Sequence, residues 1–467
     1  MRENSEFRIE KDTIGEIKVP KDAYWGAQTQ RAIENFRISH YKMPIEIIKA
    51  IAIIKYASAE TNRELGLLDS NFSEYIKIAS EEIIYSEDDK NFPVDIFQTG
   101  SGTSTNMNVN EVISTRANEL LTGVKNTIHP IHPNDHVNKG QSSNDVIPSA
   151  IRIAASVLLD TELIPKLEVL RESISNKSKQ FRNVVKTGRT HLMDAVPISF
   201  GQEFSGWERQ IENGIERLKS SYPRLLELPI GGTAVGTGIN THPKFSELVV
   251  KVISEKTGIQ FMVAKNKFEG IASMDIASEV SGHLKTIASS LMKIANDIRL
   301  MNSGPNAGIG EITIPTLQPG SSIMPGKVNP VIPEAVRMVC ARVIGNDTTI
   351  TISSSLGEFE LNTMLPIIGF TLVESIKLLS NASYLLAKKV IDGIKINRER
   401  VQKMIESNNM VITLLSPVLG YEKSAELYKK AAEQNKSIRE VVIESELIEP
   451  QKLDEILDFR KMISNHD

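Results

Sequence analysis

Long stretches of the sequence place apolar residues at every third or fourth position, the spacing that forms one face of an α-helix. Six such stretches are long for globular helices, at about residues 45–65, 146–181, 199–226, 271–301, 331–355 and 367–395. The clearest seam consists of Ile276, Val280, Leu284, Ile287, Leu291, Ile294 and Ile298. Its steps of three and four residues approximate a heptad repeat, which packs against near-parallel helices. The pattern predicts a mainly all-α fold built on a long-helix bundle.

The pattern changes on both sides of these stretches. Before about residue 43, short extended pieces alternate with turn residues, and after about 397 the predicted helices become short and charged. We therefore expect a mixed, mostly helical N-terminal domain at 1–141, a central bundle at 142–396 and a small helical domain at 397–467. No strand–helix–strand rhythm appears, so a doubly wound nucleotide-binding sheet is not expected. The glycine-rich run GGTAVGTGIN (231–240) lacks that context and is predicted to be a tight turn or a loop facing the substrate.

Composition narrows the class of protein. Hydrophobic residues make up 40% of the chain and charged residues 24%, as in ordinary globular domains. The net charge of -4 gives no electrostatic basis for binding nucleic acid or an anionic membrane. Cys340 is the single cysteine, too few for a disulfide or a thiolate metal site. The N-terminus is too charged for a signal peptide, and lysines interrupt apolar runs such as IIKAIAIIKYA. We expect a cytoplasmic protein.

Four polar, glycine-containing stretches interrupt the predicted helices. They are QTGSGTSTNMNVNE (98–111), HPNDHVNKGQSSND (132–145), TGRTHLMDAVP (187–197) and QPGSSIMPGKVNPVIPE (318–334). One such stretch is usually a helix cap, because hydroxyls and side-chain amides satisfy free backbone N–H groups. The same groups also bind carboxylates at helix N-termini. Four of them in one chain favour a site for a small organic anion.

The fourth stretch contains a cation among its hydroxyls and amides. Lys327 lies within a few positions of Ser321, Ser322 and Asn329, so these groups can converge on one small acid. Glycine and proline residues predict a loop here, beginning at Gly320, and such a loop can close over a substrate.

Eight histidines are candidates for acid–base chemistry or metal binding. His191 is the best acid–base candidate because it lies in a polar turn, GRTHL, rather than on an apolar face. His132 and His136 have the spacing of a helical metal pair. Pro133 and Asn134 argue against a helix between them, so we expect no metal site.

The polar stretches resemble the shared blocks of a known superfamily. The run GSSIMPGKVNP (320–330) matches the signature of the fumarase/aspartase superfamily, and the other three stretches match its remaining blocks in the same order. The segments WGAQTQRAIENF (25–36) and GGTAVGTGINTHP resemble class II fumarases. Aspartases usually carry glutamine at the position of His191, whereas VNPVIPEAV and VIGNDTTIT (343–351) are closer to aspartase. Aspartate ammonia-lyase and a non-catalytic, crystallin-like structural protein therefore remain as alternatives.

The resemblance to class II fumarases implies reversible addition of water to fumarate, giving (S)-malate, without a cofactor or a metal. It implies that Ser321 removes the carbon-bound proton, that His191 handles the water, and that Glu334 orients His191. A serine is a very weak base unless its oxyanion is stabilised, so Lys327 and loop N–H groups are expected to lower its pKa. Lys327 and Asn329 would also stabilise the doubly negative carboxylate of the intermediate.

The resemblance also implies binding residues. Substrate binding is expected at Ser101, Gly102, Thr103, Ser142, Ser143, Asn144, Thr190, Ser322, Lys327, Val328 and Asn329. A second anion site, either regulatory or structural, is expected at His129, His132, Pro133, Asn134 and Asp135. Asn306 and His129 depart from the family pattern, which usually has arginine at these positions.

A homotetramer is the expected assembly. Helices such as 271–301 carry apolar residues around more of their circumference than one bundle needs, which favours association. The resemblance implies four bundles joined in a twenty-helix core, with each active site shared between three subunits. One subunit would supply Ser101, Thr103 and Asn144, another Thr190 and His191, and a third Ser321, Lys327 and Asn329.

Overall fold

The computed structural model describes residues 6–125 and 128–459. The longer helices are α2 (Ile45–Glu64), α3 (Ser70–Ile84), α4 (Thr103–Thr122), α5 (Ser143–Leu158), α6 (Ile164–Gln180), α7 (Phe200–Leu225), α8 (Phe245–Thr257), α10 (Asp275–Met301), α11 (Val331–Ser354), α12 (Leu365–Lys389) and α15 (Tyr421–Gln434). The shorter helices are α1 (Ala27–Asn35), α9 (Lys267–Ala272), α13 (Arg398–Glu406), α14 (Ser416–Leu419), α16 (Ile438–Glu444) and α17 (Pro450–Ile456). The mainly all-α prediction is confirmed.

The strands are short and pair only in twos among the described residues. They are β1 (Phe7–Lys11), β2 (Glu16–Pro20), β3 (Val185–Thr190), β4 (Met193–Ser199), β5 (Glu227–Leu228), β6 (Met262–Val263), β7 (Ile312–Thr313), β8 (Gly357–Glu358), β9 (Leu361–Asn362) and β10 (Lys395–Ile396). The pairs β1–β2, β3–β4, β8–β9 and β7–β10 are antiparallel, and β5–β6 is parallel. No strand order of the doubly wound kind occurs in the part of the chain that the structure describes.

The helices predicted from apolar spacing match the structure with two interruptions and one early end, since α12 ends at Lys389 although the predicted stretch extends to 395. Residues 146–181 form α5 and α6, joined by a π-helical turn at Leu159–Leu163. Residues 271–301 contain the end of α9 and all of α10, which begins at Asp275. The side chain of Ser273 causes this second break, since its Oγ accepts a hydrogen bond from the Asp275 backbone N–H at 3.3 Å.

The heptad seam of α10 is buried, with each of its seven residues at most 5% exposed. Within one chain α10 has no large apolar residue among the exposed ones, so its seam is already covered, and further burial of this helix in an assembly stays a prediction. Its exposed positions instead carry polar side chains such as Asp275, Lys285 and Lys293. The apolar surface lies on α11, where Met338 is 68% and Ile352 56% exposed.

The chain divides into two compact units, and several long helices contribute residues to both. The first unit comprises 1–165, 216–286 and 341–380. In it α2 packs against α3, α5 and α8, and buries a row of isoleucines that includes Ile47, Ile51 and Ile54.

The second unit comprises 166–215, 287–340 and 381–467. It contains the β3–β4 hairpin, which packs against α13, and the C-terminal helices, which share a small core around Leu415, Leu427 and Val441. The three-domain boundaries expected from the sequence stay a prediction.

One helical segment, Leu365–Gly393, is long and apolar enough to cross a membrane by length and composition. Of its apolar window, 67% is buried inside the protein, as in the core helix of a globular fold.

Candidate functional site

Three hydroxyl groups meet where α4 and α5 begin. The Oγ of Ser101 lies 2.7 Å from Oγ1 of Thr103, which lies 2.7 Å from Oγ of Ser143. Gly102 makes this entry to α4 possible, since its φ of 73° is left-handed and a Cβ there would lie 2.9 Å from Ile147. The first two polar stretches of the sequence are therefore adjacent in space.

The N-terminus of α5 is closed by a capping box. The Oγ of Ser142 accepts a hydrogen bond from the Asn144 N–H, and the Asp145 carboxylate accepts one from the Ser142 N–H at 3.0 Å. The same carboxylate accepts the N–H groups of Gly231 and Thr233 at 2.9 and 2.8 Å. The glycine-rich run, predicted to be a tight turn or a loop facing the substrate, is thus hydrogen-bonded to the first turn of α5. Burial raises the pKa of Asp145 to about 6, although these hydrogen bonds act in the opposite direction.

A buried lysine contacts the segment that leads into α5. Lys55 of α2 is fully buried, and its Nζ donates to Oδ1 of Asn138 and Oε1 of Gln141, both at 2.9 Å. Burial lowers the pKa of Lys55 to about 7, while the charge of Asp145 acts to raise it. The signal for Lys55 in the sequence is its position among the apolar residues of IIKAIAIIKYA, where a lysine can be either buried or solvated.

His191 occupies the tip of the β3–β4 hairpin. Thr190 pairs with Met193, and His191 and Leu192 between them have φ values of 56° and 62°. Two positive φ angles are typical of a type I′ turn, and holding non-glycine residues there costs on the order of 1–3 kcal/mol each. The predicted polar turn is confirmed, and it holds the imidazole exposed at the end of a rigid hairpin.

Ion pairs to a buried glutamate hold strand β3 of this hairpin. The ammonium of Lys186 lies 2.6 Å from Glu203 and 3.3 Å from Glu311, and the guanidinium of Arg189 lies 2.8 Å from Glu311. Glu311 is fully buried, so its charge is compensated by both cations. Arg189 immediately precedes Thr190, and these pairs therefore limit movement of the His191 turn.

The signature motif forms a loop that is bonded to itself. The Gly320 N–H donates to the Lys327 carbonyl at 2.9 Å, and Nδ2 of Asn329 donates to the Gly320 carbonyl at 2.8 Å. A Cβ on Gly320 would lie 2.5 Å from the Lys327 carbonyl oxygen, so this closure requires glycine. Within this loop, the Oγ of Ser321 accepts hydrogen bonds from the N–H groups of Ile323 and Met324 at 3.3 and 3.1 Å.

Three further predicted residues of this loop are exposed, and Glu334 follows the loop in α11. Ser322, Lys327 and Val328 are exposed, and Glu334 lies half-buried in the first turn of α11. Within the described residues, no hydrogen bond or ion pair joins Glu334 to His191. The predicted contact by which Glu334 orients His191 is therefore not present within one chain.

The predicted second anion site lies around a helical turn. The expectation that Pro133 and Asn134 prevent a helix is wrong locally, because Pro133–Val137 forms a single π-helical turn. Proline is compatible with this position, since the first turn of a helix leaves its N–H groups without intrahelical partners. The Nδ1 atom of His136 accepts a hydrogen bond from the His132 N–H at 2.8 Å. The Nδ1 atom of His132 accepts hydrogen bonds from the Asn134 and Asp135 N–H groups.

The other residues near this turn are exposed. His129 is exposed and stacks on His132, with ring centroids 6.3 Å apart, and Asn134 and Asp135 are also exposed. Burial lowers the pKa of His136. The binding role of this group of residues stays a prediction.

Asn306, the other departure from the family pattern, lies in a loop that is held by a different arginine. The guanidinium of Arg400 donates to the carbonyls of Gly308 and Ile309 at 2.9 and 3.2 Å. Arg400 therefore stabilises this loop without an arginine at position 306.

Comparisons with known proteins agree on one family. Residues 15–345 match the family model described as lyase, and residues 411–464 match the one described as fumarase C C-terminus. A class II fumarate hydratase of Xylella fastidiosa is 52% identical over 98% of this chain and 96% of its own length. One from Thermus thermophilus is 46% identical over 99% of both chains. The crystal structure of class II fumarase from Schistosoma mansoni superimposes with a TM-score of 0.96 at 40% identity, covering 99% of this chain and 100% of that one.

Proposed function

We propose a division of roles among these residues, starting from the premise that the chain belongs to the class II fumarate hydratase family. The protein is a hydro-lyase that catalyses the reversible hydration of fumarate to (S)-malate. The observation that carries the proposed roles is the Ser321 loop, in which two backbone N–H groups point at one serine oxygen.

Ser321 is the base that removes the carbon-bound proton of malate. This proton is weakly acidic, so its removal needs a strong base, and a serine hydroxyl becomes one only as its alkoxide. The N–H groups of Ile323 and Met324 hydrogen-bond to the Oγ and stabilise negative charge on it. The exposed ammonium of Lys327 in the same loop adds a positive charge. When Ser321 takes the proton, Lys327 faces the doubly negative carboxylate of the intermediate and lowers its free energy.

His191 handles the water on the opposite face of the substrate. Its exposed position on a rigid hairpin allows it to reach a substrate held by other elements. It protonates the departing hydroxyl during dehydration and takes a proton from water during hydration. Glu334 orients the imidazole. The hydroxyls of Ser101, Thr103 and Ser143, together with Ser142 and Asn144, bind the carboxylates at the N-termini of α4 and α5.

The site is completed by a homotetramer, with three subunits contributing to each site. Three observations support this. His191, Lys327 and Ser322 are exposed within one chain, although each is expected to contact substrate. The Ser321 loop also exposes apolar side chains, with Ile323 83% and Met324 47% accessible.

The third observation is an exposed stripe along α11, formed by Met338, Ala341, Gly345, Thr348 and Ile352. Its steps of three and four residues give a heptad seam of small and apolar side chains, suited to close packing against a helix of another subunit. The same assembly brings Glu334 of one chain to His191 of another. We place the enzyme in the cytoplasm, in keeping with its single, buried cysteine.

Aspartate ammonia-lyase is the second candidate, favoured by the VNPVIPEAV and VIGNDTTIT segments. The test is to incubate the purified protein with fumarate, with and without ammonium, and to quantify malate and aspartate. We expect malate in both reactions and little or no aspartate. Aspartate formed faster than malate would overturn the assignment, and no turnover of either kind would favour a structural protein.

A further inference from the structure

We infer that Lys55 is a positioning and specificity residue, whose buried ammonium stands behind the carboxylate-binding groups and selects substrates with two negative charges. Lys55 is fully buried on α2, and its two acceptors are neutral amides rather than a carboxylate. A buried ammonium without a directly bonded counter-ion is costly, and this cost is why burial lowers the pKa of Lys55. An anion bound nearby would offset the cost and favour the protonated form.

The hydrogen-bond network of Lys55 connects it to both segments that carry the expected binding groups. Its acceptors Asn138 and Gln141 lie just before Ser142, where the binding segment of α5 begins. On the other side, Nδ2 of Asn106 and of Asn110 donate to the same Asn138 oxygen, both at 3.2 Å. Asn106 lies one helical turn after Thr103 on α4. Lys55 therefore supports both helix N-termini that carry the hydroxyl cluster.

Little negative charge acts on the ammonium of Lys55. Asp145 of α5 is the one charged side chain, among the described residues, that acts on the pKa of Lys55; no charged side chain of α3, α4 or α8 does so. The carboxylate of Asp145 is engaged by three backbone N–H groups. The expected carboxylate donors at Ser101, Thr103 and Ser143 are neutral. Lys55 thus supplies the positive charge that these donors lack.

The inference predicts a change in selectivity between dianions and monoanions. This prediction rests on the proposed role of the carboxylate-binding residues at the start of α5. Lys55→Met keeps most of the side-chain volume and removes the charge. We expect its KM for fumarate to rise about tenfold or more, with a smaller change in kcat, as for one charge pair at an effective dielectric constant of about 20. Inhibition by the dianion succinate should weaken by a similar factor, whereas inhibition by the monoanion crotonate should change much less.

A matched variant separates charge from packing. Asn110→Ala removes a neutral hydrogen bond to the same Asn138 oxygen. We expect it to change the affinities for succinate and crotonate by the same factor, because it removes no charge. Equal losses for the two inhibitors in Lys55→Met would overturn the inference. If Asn144→Ala binds succinate as tightly as the wild type, the proposed donor set fails instead.

Proton linkage tests the inference without altering Lys55, should Lys55→Met not fold. Succinate binding is measured by calorimetry at about pH 8 in buffers of different ionisation enthalpy, using His191→Asn to remove that imidazole. At this pH the ammonium is only partly protonated, so an arriving dianion should cause uptake of a fraction of a proton per site. Proton uptake indistinguishable from zero would overturn the inference.

Discussion

Gly345→Arg tests whether the exposed stripe on α11 is a subunit interface. Gly345 is exposed within the chain, and a Cβ built on it meets no atom within 4 Å. A single chain therefore accommodates the arginine, and loss of a mid-helix glycine favours the helix by about 0.5–1 kcal/mol. In the tetramer the same guanidinium would be buried between helices without a partner.

The expected effect on assembly is large. Burying an unpaired charge costs roughly 3–5 kcal/mol, which lowers the association constant by about two to four powers of ten. Sedimentation velocity should show smaller species, circular dichroism should show unchanged helix content, and fumarate hydration should be lost because no complete site remains. Gly345→Glu should behave in the same way, which excludes an effect specific to positive charge.

Ala432→Arg is the control for introducing an arginine on the surface. Ala432 is an exposed residue of α15 in the C-terminal helices. This variant should remain tetrameric and active. A Gly345→Arg protein that stays tetrameric would refute the interface, and one that dissociates yet retains full activity would refute the shared site.

Three further predictions concern single residues. Ser321→Ala should lower kcat by about 10²–10⁴-fold with little change in substrate affinity, because the hydroxyl acts on the proton; Thr316→Ala, just before this loop, should stay active. Lys327→Ala should impair both kcat and KM, since its charge faces ground state and intermediate alike, and a change in only one of them would contradict this role. Finally, Lys55 has a pKa of about 7 in the fold against an ordinary value of 10.5, so the unfolded chain binds more protons between these values. In this pH window the free energy of unfolding of the wild type should therefore rise with pH more steeply than that of Lys55→Met. The difference between the two slopes should be up to about 1.4 kcal/mol per pH unit, measured by urea denaturation.

The sequence predicted the long helices because each has one continuous apolar face. The seam from Ile276 to Ile298 is buried as expected. The break before α10 was missed, because it depends on one hydroxyl–backbone bond at Ser273 rather than on apolar spacing.

The polar stretches were identified because hydroxyls, amides and glycines concentrate at helix N-termini. Their convergence at Thr103 and Ser143 required the fold, since these residues lie far apart in the chain. Lys55 was missed for a similar reason. Spacing alone does not distinguish a solvated lysine from a buried one whose acceptors, Asn138 and Gln141, come from a distant segment.

The central claim is that each active site takes His191 from one subunit and Ser321 from another. It is tested most directly by co-assembling two inactive variants, His191→Asn and Ser321→Ala, after reversible dissociation, and isolating tetramers that carry both. A site with His191 from a Ser321→Ala chain and Ser321 from a His191→Asn chain has neither lesion. In these hybrids random placement should give roughly a quarter to a third of such sites, and hence roughly that share of wild-type fumarate hydration. Hybrids confirmed to contain both variants that remain as inactive as their parents would contradict the shared site.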